Sequence, residues 1–294
     1  MLNRLFPATI KPYTQPDFKK LLLWGSGSLF VTVLTTLYLN HSSQSLAHVN
    51  QAMPTVLSPD ATMHAMTTSG RNIFRRVNNT WQVVPGIARA IGIGSRGAVW
   101  VVGDNAVPGG FGIYRWSGQD WQAIEGGAIE IAVDPSGNPW VVNDRGQVFQ
   151  RANNAWRSIP GIARDIGIGA NGTVWVIGDN AVAGGFGIYR WTGQDWQAIE
   201  GGAVRIAVDP SGNPWVVNDQ GQIFQRVNNA WRSIPGIARD IGIGANGAVW
   251  VIGDNAVAGG FGIYRWTGQD WQAIEGGAVR IAVDPSGNPW VTNQ

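Results

Sequence analysis

Apolar residues take every second place over short stretches of this chain. Between Val204 and Asp209, Val204, Ile206 and Val208 alternate with Arg205, Ala207 and Asp209, which is the period of a half-buried strand. Asp209-Pro210-Ser211-Gly212 then places Pro and Gly where a tight turn requires them, and Asn171-Gly172 and Asn246-Gly247 punctuate the chain in the same manner. The pattern predicts short strands joined by tight turns from Gly70 to the C-terminus.

The pattern is also periodic. The stretch Val174 to Trp215 recurs almost letter for letter at Val249 to Trp290, and with more drift at Val99 to Trp140, an offset of 75 residues. Each unit contains a long half and a short half, opened in turn by Trp100, Trp140, Trp175, Trp215, Trp250 and Trp290 at spacings of 40 and 35. Read from the Trp-bearing strand, each half offers four short strands, the design of a propeller blade. The first segment, Asn72 to Gly97, has strands two to four of a blade, and Asn288 to Gln294 has only a first strand. Joined, the two complete a sixth blade. The expected fold is therefore all-β: a six-bladed β-propeller of four-stranded blades over residues 70–294, closed by the C-terminal strand pairing with the N-terminal blade segment. Such a closure leaves no terminal blade edge unpaired, whereas an open solenoid, the alternative, gains nothing from a split blade.

Short motifs repeat in phase with the halves. Trp231, Ser233, Ile234, Pro235 and Gly236 are followed by Ile241-Gly242-Ile243-Gly244, then by Gly247 and Trp250, with counterparts in every half. This arrangement resembles the tectonin-type β-propellers, whose repeats carry a first-strand Trp, a W-x-x-I-x-G strand and an I-x-V/I-x-x-x-G-x-x-W passage. The resemblance spans 70–294. It implies a propeller and, for its characterised members, recognition of bacterial or fungal surface sugars, while other members are interaction scaffolds. The N-terminus departs from it.

That N-terminus has three parts. Residues 1–20 are basic, with Arg4, Lys11, Lys19 and Lys20. Residues 21–39, LLLWGSGSLFVTVLTTLYL, are uncharged and long enough to cross a bilayer as one hydrophobic helix. They fit a signal anchor, or a signal peptide cleaved near Ser45-Leu46-Ala47. Either sends the remainder across the membrane by the positive-inside bias, so the expected location is extracytoplasmic: secreted, periplasmic or membrane-anchored. Residues 40–69 read as a flexible linker, and the chain's His41, His48 and His64 scattered there do not suggest a metal site.

Composition narrows the chemistry. The chain has 41 Gly, 16 Trp and no Cys, which suits short strands and excludes disulfides and cysteine-ligated zinc. From Gly70 onward 17 Arg face 17 Asp plus Glu, so no basic footprint for nucleic acid remains. No His, Lys or Cys falls in 70–294, which removes nucleophile-histidine pairs, Schiff-base chemistry and histidine metal sites. Carboxylate pairs of the glycosidase kind remain, but they recur at repeat-equivalent positions. The VRIAVDPSGNPWV passages are also similar to those of streptogramin-lyase-type propellers, yet those enzymes need a His and a metal. The Asp-Asn loops and DPSGN turns lack the dense acidic spacing of a calcium loop. The expectation is a protein without cofactor or metal, not an enzyme.

The candidate site residues are those that only the long halves carry. Trp in every half, such as Trp121, Trp196 and Trp271, are best explained by packing. Trp116, Trp191 and Trp266 occur in long halves alone, where an exposed indole can stack on the apolar face of a sugar. A five-residue insertion adds Asp104 and Asn105, Asp179 and Asn180, and Asp254 and Asn255, which can bond hydroxyls or simply shape an Asx turn. Trp116 and its mates are expected at the far end of the second strand from these loops. The expected function is multivalent, lectin-like binding of surface glycans of polysaccharide or lipopolysaccharide type by a monomer. A cell-envelope scaffold that docks a protein is the alternative.

Overall fold

The computed structural model describes Met66 and residues 70–294. Residue contacts divide the chain into two units, Met1–Ala52 and Met53–Gln294, and all the described residues belong to the second. The basic region, the hydrophobic helix of 21–39 and, apart from Met66, the linker lie outside the described residues. Among the described residues no helix is long and apolar enough to cross a membrane.

The described region is all-β. Strands β1 (Asn72–Val77) and β2 (Thr80–Ile87) form a hairpin, followed by β3 (Ala90–Ile93), β4 (Val99–Val107), β5 (Gly110–Trp116) and β6 (Trp121–Ala128). Next come β7 (Glu130–Val133), β8 (Pro139–Val142), β9 (Gln147–Ala152) and β10 (Ala155–Ile168). The pattern continues with β11 (Val174–Val182), β12 (Gly185–Trp191), β13 (Trp196–Ala203), β14 (Arg205–Val208), β15 (Pro214–Val217), β16 (Gln222–Val227) and β17 (Ala230–Ile243). The last are β18 (Val249–Val257), β19 (Gly260–Trp266), β20 (Trp271–Ala278), β21 (Arg280–Val283) and β22 (Pro289–Thr292).

Antiparallel pairing arranges these strands in six four-stranded sheets. In chain order, sheet 1 is β3-β4-β5-β6, sheet 2 is β7-β8-β9 with the first part of β10, and sheet 3 is the rest of β10 with β11-β12-β13. Sheet 4 is β14-β15-β16 with the first part of β17, and sheet 5 is the rest of β17 with β18-β19-β20. Sheet 6 is composite: β21-β22 from the C-terminal end pairs with β1-β2 through Ile73, Phe74 and Arg75 opposite Thr292, Val291 and Trp290. The innermost strands neighbour one another in a cycle, β3 beside β7, β7 beside β10, β10 beside β14, β14 beside β17, β17 beside β21, and β21 beside β3. The arrangement is propeller-like.

The phase of the sheets differs from the sequence expectation by one strand. The I-x-I strand was expected to end each blade, but it is the innermost strand of the next sheet, pairing with the Trp-bearing strand that follows it: Gly92 opposes Trp100 and Ala207 opposes Trp215. The cause is the tight turn between them. Gly97 N–H donates to Gly94 O, and Asp134 Oδ1 accepts from the N–H groups of Ser136 and Asn138, so each turn folds its two strands into a hairpin rather than separating two blades. Continuity instead runs the other way, since β10 and β17 are 14-residue strands that pass from the outer edge of one sheet to the axis of the next.

The outer hairpins of sheets 2, 4 and 6 turn on Asn153-Asn154, Asn228-Asn229 and Asn78-Asn79, all with φ between 50° and 63°. Asn tolerates this left-handed region better than most residues, which suits a tight hairpin turn. The core lies between neighbouring sheets. Trp175, Ile177 and Ile188 of sheet 3 pack on Ile206, Val208 and Val216 of sheet 4, and Trp100, Val102 and Ile113 of sheet 1 pack on Ile131, Val133 and Val141 of sheet 2. Each Trp on the second strand of a sheet is thus buried area that four-residue inner strands could not supply.

Candidate ligand-binding sites

The six Trp that open the outer strands form a closed circuit. Trp121, Trp196 and Trp271 donate Nε1–H to the carbonyls of Pro85, Pro160 and Pro235, and Trp81, Trp156 and Trp231 to those of Glu275, Glu125 and Glu200, at 2.5–2.9 Å. Every acceptor lies on the outer strand of the preceding sheet. The residue after each acceptor is glycine, and at Gly236 φ is 108° with a hypothetical Cβ only 2.9 Å from Trp271 Nε1. A side chain there would be strained and would occupy the indole's place. Packing is therefore the role of these Trp, as the sequence suggested.

The long-sheet Trp sit on top of them. Trp116, Trp191 and Trp266 lie directly opposite Trp121, Trp196 and Trp271 across their hairpins. The paired ring centroids are 4.8 Å apart, tilted by 51–53°. All six rings are half-buried. Each pair closes on a turn in which Ser117, Thr192 or Thr267 accepts from the N–H of Asp120, Asp195 or Asp270. The result is three equivalent aromatic ledges flanked by exposed Gln and Asp.

The Asp and Asn residues are on the neighbouring strands β4, β11 and β18, beside the other end of β5, β12 and β19. They were expected to form a loop insertion, but they lie within β4, β11 and β18 on a bulge, where register shifts between Val102 and Ala106 and its equivalents. The hairpin tip is further on, at Pro108-Gly109 in sheet 1. Asn105, Asn180 and Asn255 accept the hydroxyls of Tyr114, Tyr189 and Tyr264 at 2.7–2.9 Å. Gly112 lacks a Cβ because one would stand 2.7 Å from the Asn105 amide. Burial raises the Tyr114 and Tyr189 pKa values, which keeps both phenols protonated as donors. Asp104 forms an ion pair with Arg89 at 2.6 Å, whereas Asp179 and Asp254 are exposed. The structure therefore assembles the Trp residues with one another and the Asp-Asn residues with Tyr, but it does not bring the two sets together.

A polar cluster at the axis escaped the sequence reading. The residue preceding the inner-strand Ile is Ala90, Glu130, Asp165, Arg205, Asp240 and Arg280 in sheets 1 to 6. Glu130 accepts from Arg205 at 3.2 Å and from Arg280 at 2.5 Å. Asp165 accepts the N–H groups of Ile166 and Ile206, and Asp240 accepts that of Ile281, so each Asp ties its inner strand to the next. Burial, with Glu130 nearby, pushes the Asp165 carboxyl up to about 7, and burial also raises Asp240. Burial works against the Arg280 cation, but Glu130, Asp240 and Asp165 outweigh it and hold the charge. The space inside is only about 80 Å³, too small for a sugar or peptide ligand. Among the described residues no group of three or more His, Cys, Asp or Glu has the arrangement to hold a metal ion. The signal was present in the repeat: Ala90, Asp165 and Asp240 occupy one repeat position, and Glu130, Arg205 and Arg280 another, so nearly identical copies change charge at both.

Residues 111–183, 127–225, 177–258 and 203–294 each match the tectonin domain. The chain belongs to the tectonin family. No curated protein matches it. Among solved structures, this tectonin is similar to YCF48 bound to a D1 peptide at 15% identity, over 74% of this chain and 81% of that one, with a TM-score of 0.48. YCF48 from Cyanidioschyzon merolae also matches at 15% identity, over 74% and 86%, with a TM-score of 0.44. Regucalcin, a calcium-binding protein from Agrobacterium tumefaciens, matches at 14% identity over 71% and 81%, with a TM-score of 0.49.

Proposed function

We propose that residues 70–294 form a closed six-bladed propeller that binds surface carbohydrate non-covalently, outside the cytoplasm, at three equivalent places. The observation that carries this reading is the set of Trp116–Trp121, Trp191–Trp196 and Trp266–Trp271 pairs, which repeat one geometry around the ring. A half-exposed indole braced by a second one is a rigid apolar surface for a pyranose face, and Gln119 and Asp120 with their equivalents are exposed beside it to take hydroxyls. Six sheets with a cyclic order of inner strands support the closed ring, and the tectonin family supports the ligand class. The mechanism is binding without catalysis: the ring has no His, Lys or Cys, and its axial carboxyls are held by backbone N–H groups and arginines around a space of only about 80 Å³. Three weak sites on one rigid body gain avidity of ~10² to 10⁴ over a single site when the glycan surface is dense.

A glycan array probed with full-length protein tests the reading. Binding to surface polysaccharide or lipopolysaccharide glycans is expected, and it should disappear in the W116A/W191A/W266A variant whose circular dichroism is unchanged. A folded triple variant that binds as well as the parent would remove the Trp pairs as the site. Recovery of one stoichiometric envelope protein that free sugars do not elute would replace the lectin reading with a scaffold.

A further inference from the structure

The three short-sheet Trp are equivalent by sequence but not by exposure. Trp81 is 3% exposed, whereas Trp156 and Trp231 are half-exposed. The difference is Met66, which lies ahead of the ring and is fully buried at the junction of sheets 5 and 6, packed with Trp81 and Ile274. Its Cε stands 2.8 Å from where a Cβ of Gly276 would be, and its carbonyl is 3.5 Å from Asn293 Nδ2.

The same pocket recurs at the junctions of sheets 1 and 2 and of sheets 3 and 4. Ile124, Gly126 and Trp156 form one copy, and Ile199, Gly201 and Trp231 form the other. In both, the atoms nearest the glycine are the indole of Trp156 or Trp231 and an Ile Cδ1, and no methionine is present. Arg151 and Arg226 lie over these indoles at 5.4 and 5.3 Å, as Arg76 lies over Trp81 at 5.7 Å. The floor and charged wall therefore match those of the filled pocket.

The geometry points to these two rim pockets as docking sites for a partner peptide that presents a methionine. Met66 is the template for the occupant. An unbranched, polarisable thioether suits an irregular gap between an indole and an Ile. The missing Cβ at Gly126 and Gly201 lets the side chain approach that backbone closely. This inference does not rest on the glycan reading. The pockets are lined by Ile124 and Gly126 on β6 and by Ile199 and Gly201 on β13, further along the strands that open with Trp121 and Trp196.

The test titrates full-length protein with a synthetic peptide of residues 60–72, following Trp fluorescence and heat. Saturation at two peptides per ring is expected, with at least a tenfold loss of affinity when Met66 of the peptide is replaced by Ser. Binding should also disappear in W156A/W231A and, should that variant not fold, in I124S/I199S, while glycan binding by either folded variant is retained. Absence of saturable binding, or binding that survives in a folded variant, would overturn the proposal. Self-association of the protein alone that W156A/W231A abolishes would overturn the partner-peptide form of it and assign the pockets to a second copy.

Discussion

Asp165 shows how one carboxyl couples the axis to pH. Its folded pKa of about 7 lies above the usual 3.8, so the fold favours the protonated form. The sign follows directly: the stabilisation is present in full below about pH 4, and it is lost as pH rises through about 7. Asp240 is shifted in the same direction and adds to the trend. We expect the parent to melt several degrees lower at pH 8 than at pH 5, and D165N to remove part of that difference, because the amide cannot ionise and its oxygen still accepts from Ile206. Thermal melts of both proteins at the two pH values check this, and a pH slope unchanged in D165N would contradict it. Ala90 at the equivalent place in sheet 1 shows that the ring position does not require an acid. At this scale the sequence was partly legible. The structural Trp were separable from the long-half Trp by their recurrence in every repeat. Asn105 reads either as a ligand contact or as a turn residue, because a hydroxyl acceptor looks the same whether it serves a sugar or Tyr114; the bulge places it on Tyr114.

The strand edges are where the elements meet. An outer strand at the rim has unpaired carbonyls, a hazard that proteins manage explicitly, and here the indole of the next sheet takes one on every edge. Replacing Trp196 by Phe keeps the ring and most of the packing against Trp191 but leaves Pro160 O without its donor. Since Pro160 is exposed and water can substitute, the cost should be roughly 0.5–1.5 kcal/mol, read from the denaturation midpoint, and a loss above about 3 kcal/mol would mean that the contact does more than satisfy one carbonyl. Strand existence was legible from period-2 alternation, while the grouping of strands into sheets was not. The D-P-S-G turn joins two strands that a Trp-first phase assigns to different blades, and the boundary between sheets 4 and 5 falls inside the continuous strand β17. Local period carries no information about which neighbour a strand pairs with.

For the whole molecule the decisive contact is β22 with β1, which brings Val291 against Phe74 and closes sheet 6. The closure was legible in advance because the two incomplete ends complement each other, but the part played by Met66 was not, since nothing in a polar linker marks one methionine as core. Deleting residues 289–294 should expose Phe74, Ile73 and Ile281, all buried in the intact ring, and split the sheet into β21 and a lone hairpin. We expect the truncated protein to be cleaved by protease at the seam and to elute as aggregate, whereas the parent resists. A truncated protein that remains monomeric and resistant would show that the ring holds without its closing strand.

That seam also fixes when the ring can form. Its two halves are separated by more than 200 residues, so a nascent chain emerging in order presents β1 and β2 long before their partner exists. Sheets 1 to 5 can assemble one after another as each 35- or 40-residue half is completed, but the first hairpin must wait with its apolar face uncovered until β22 has been made. Met66, lying just ahead of β1, is already available to shield Trp81 during that interval as soon as β20 is in place, which makes the period between the first and last strands the one in which a chaperone or a crowded neighbour has most influence on yield.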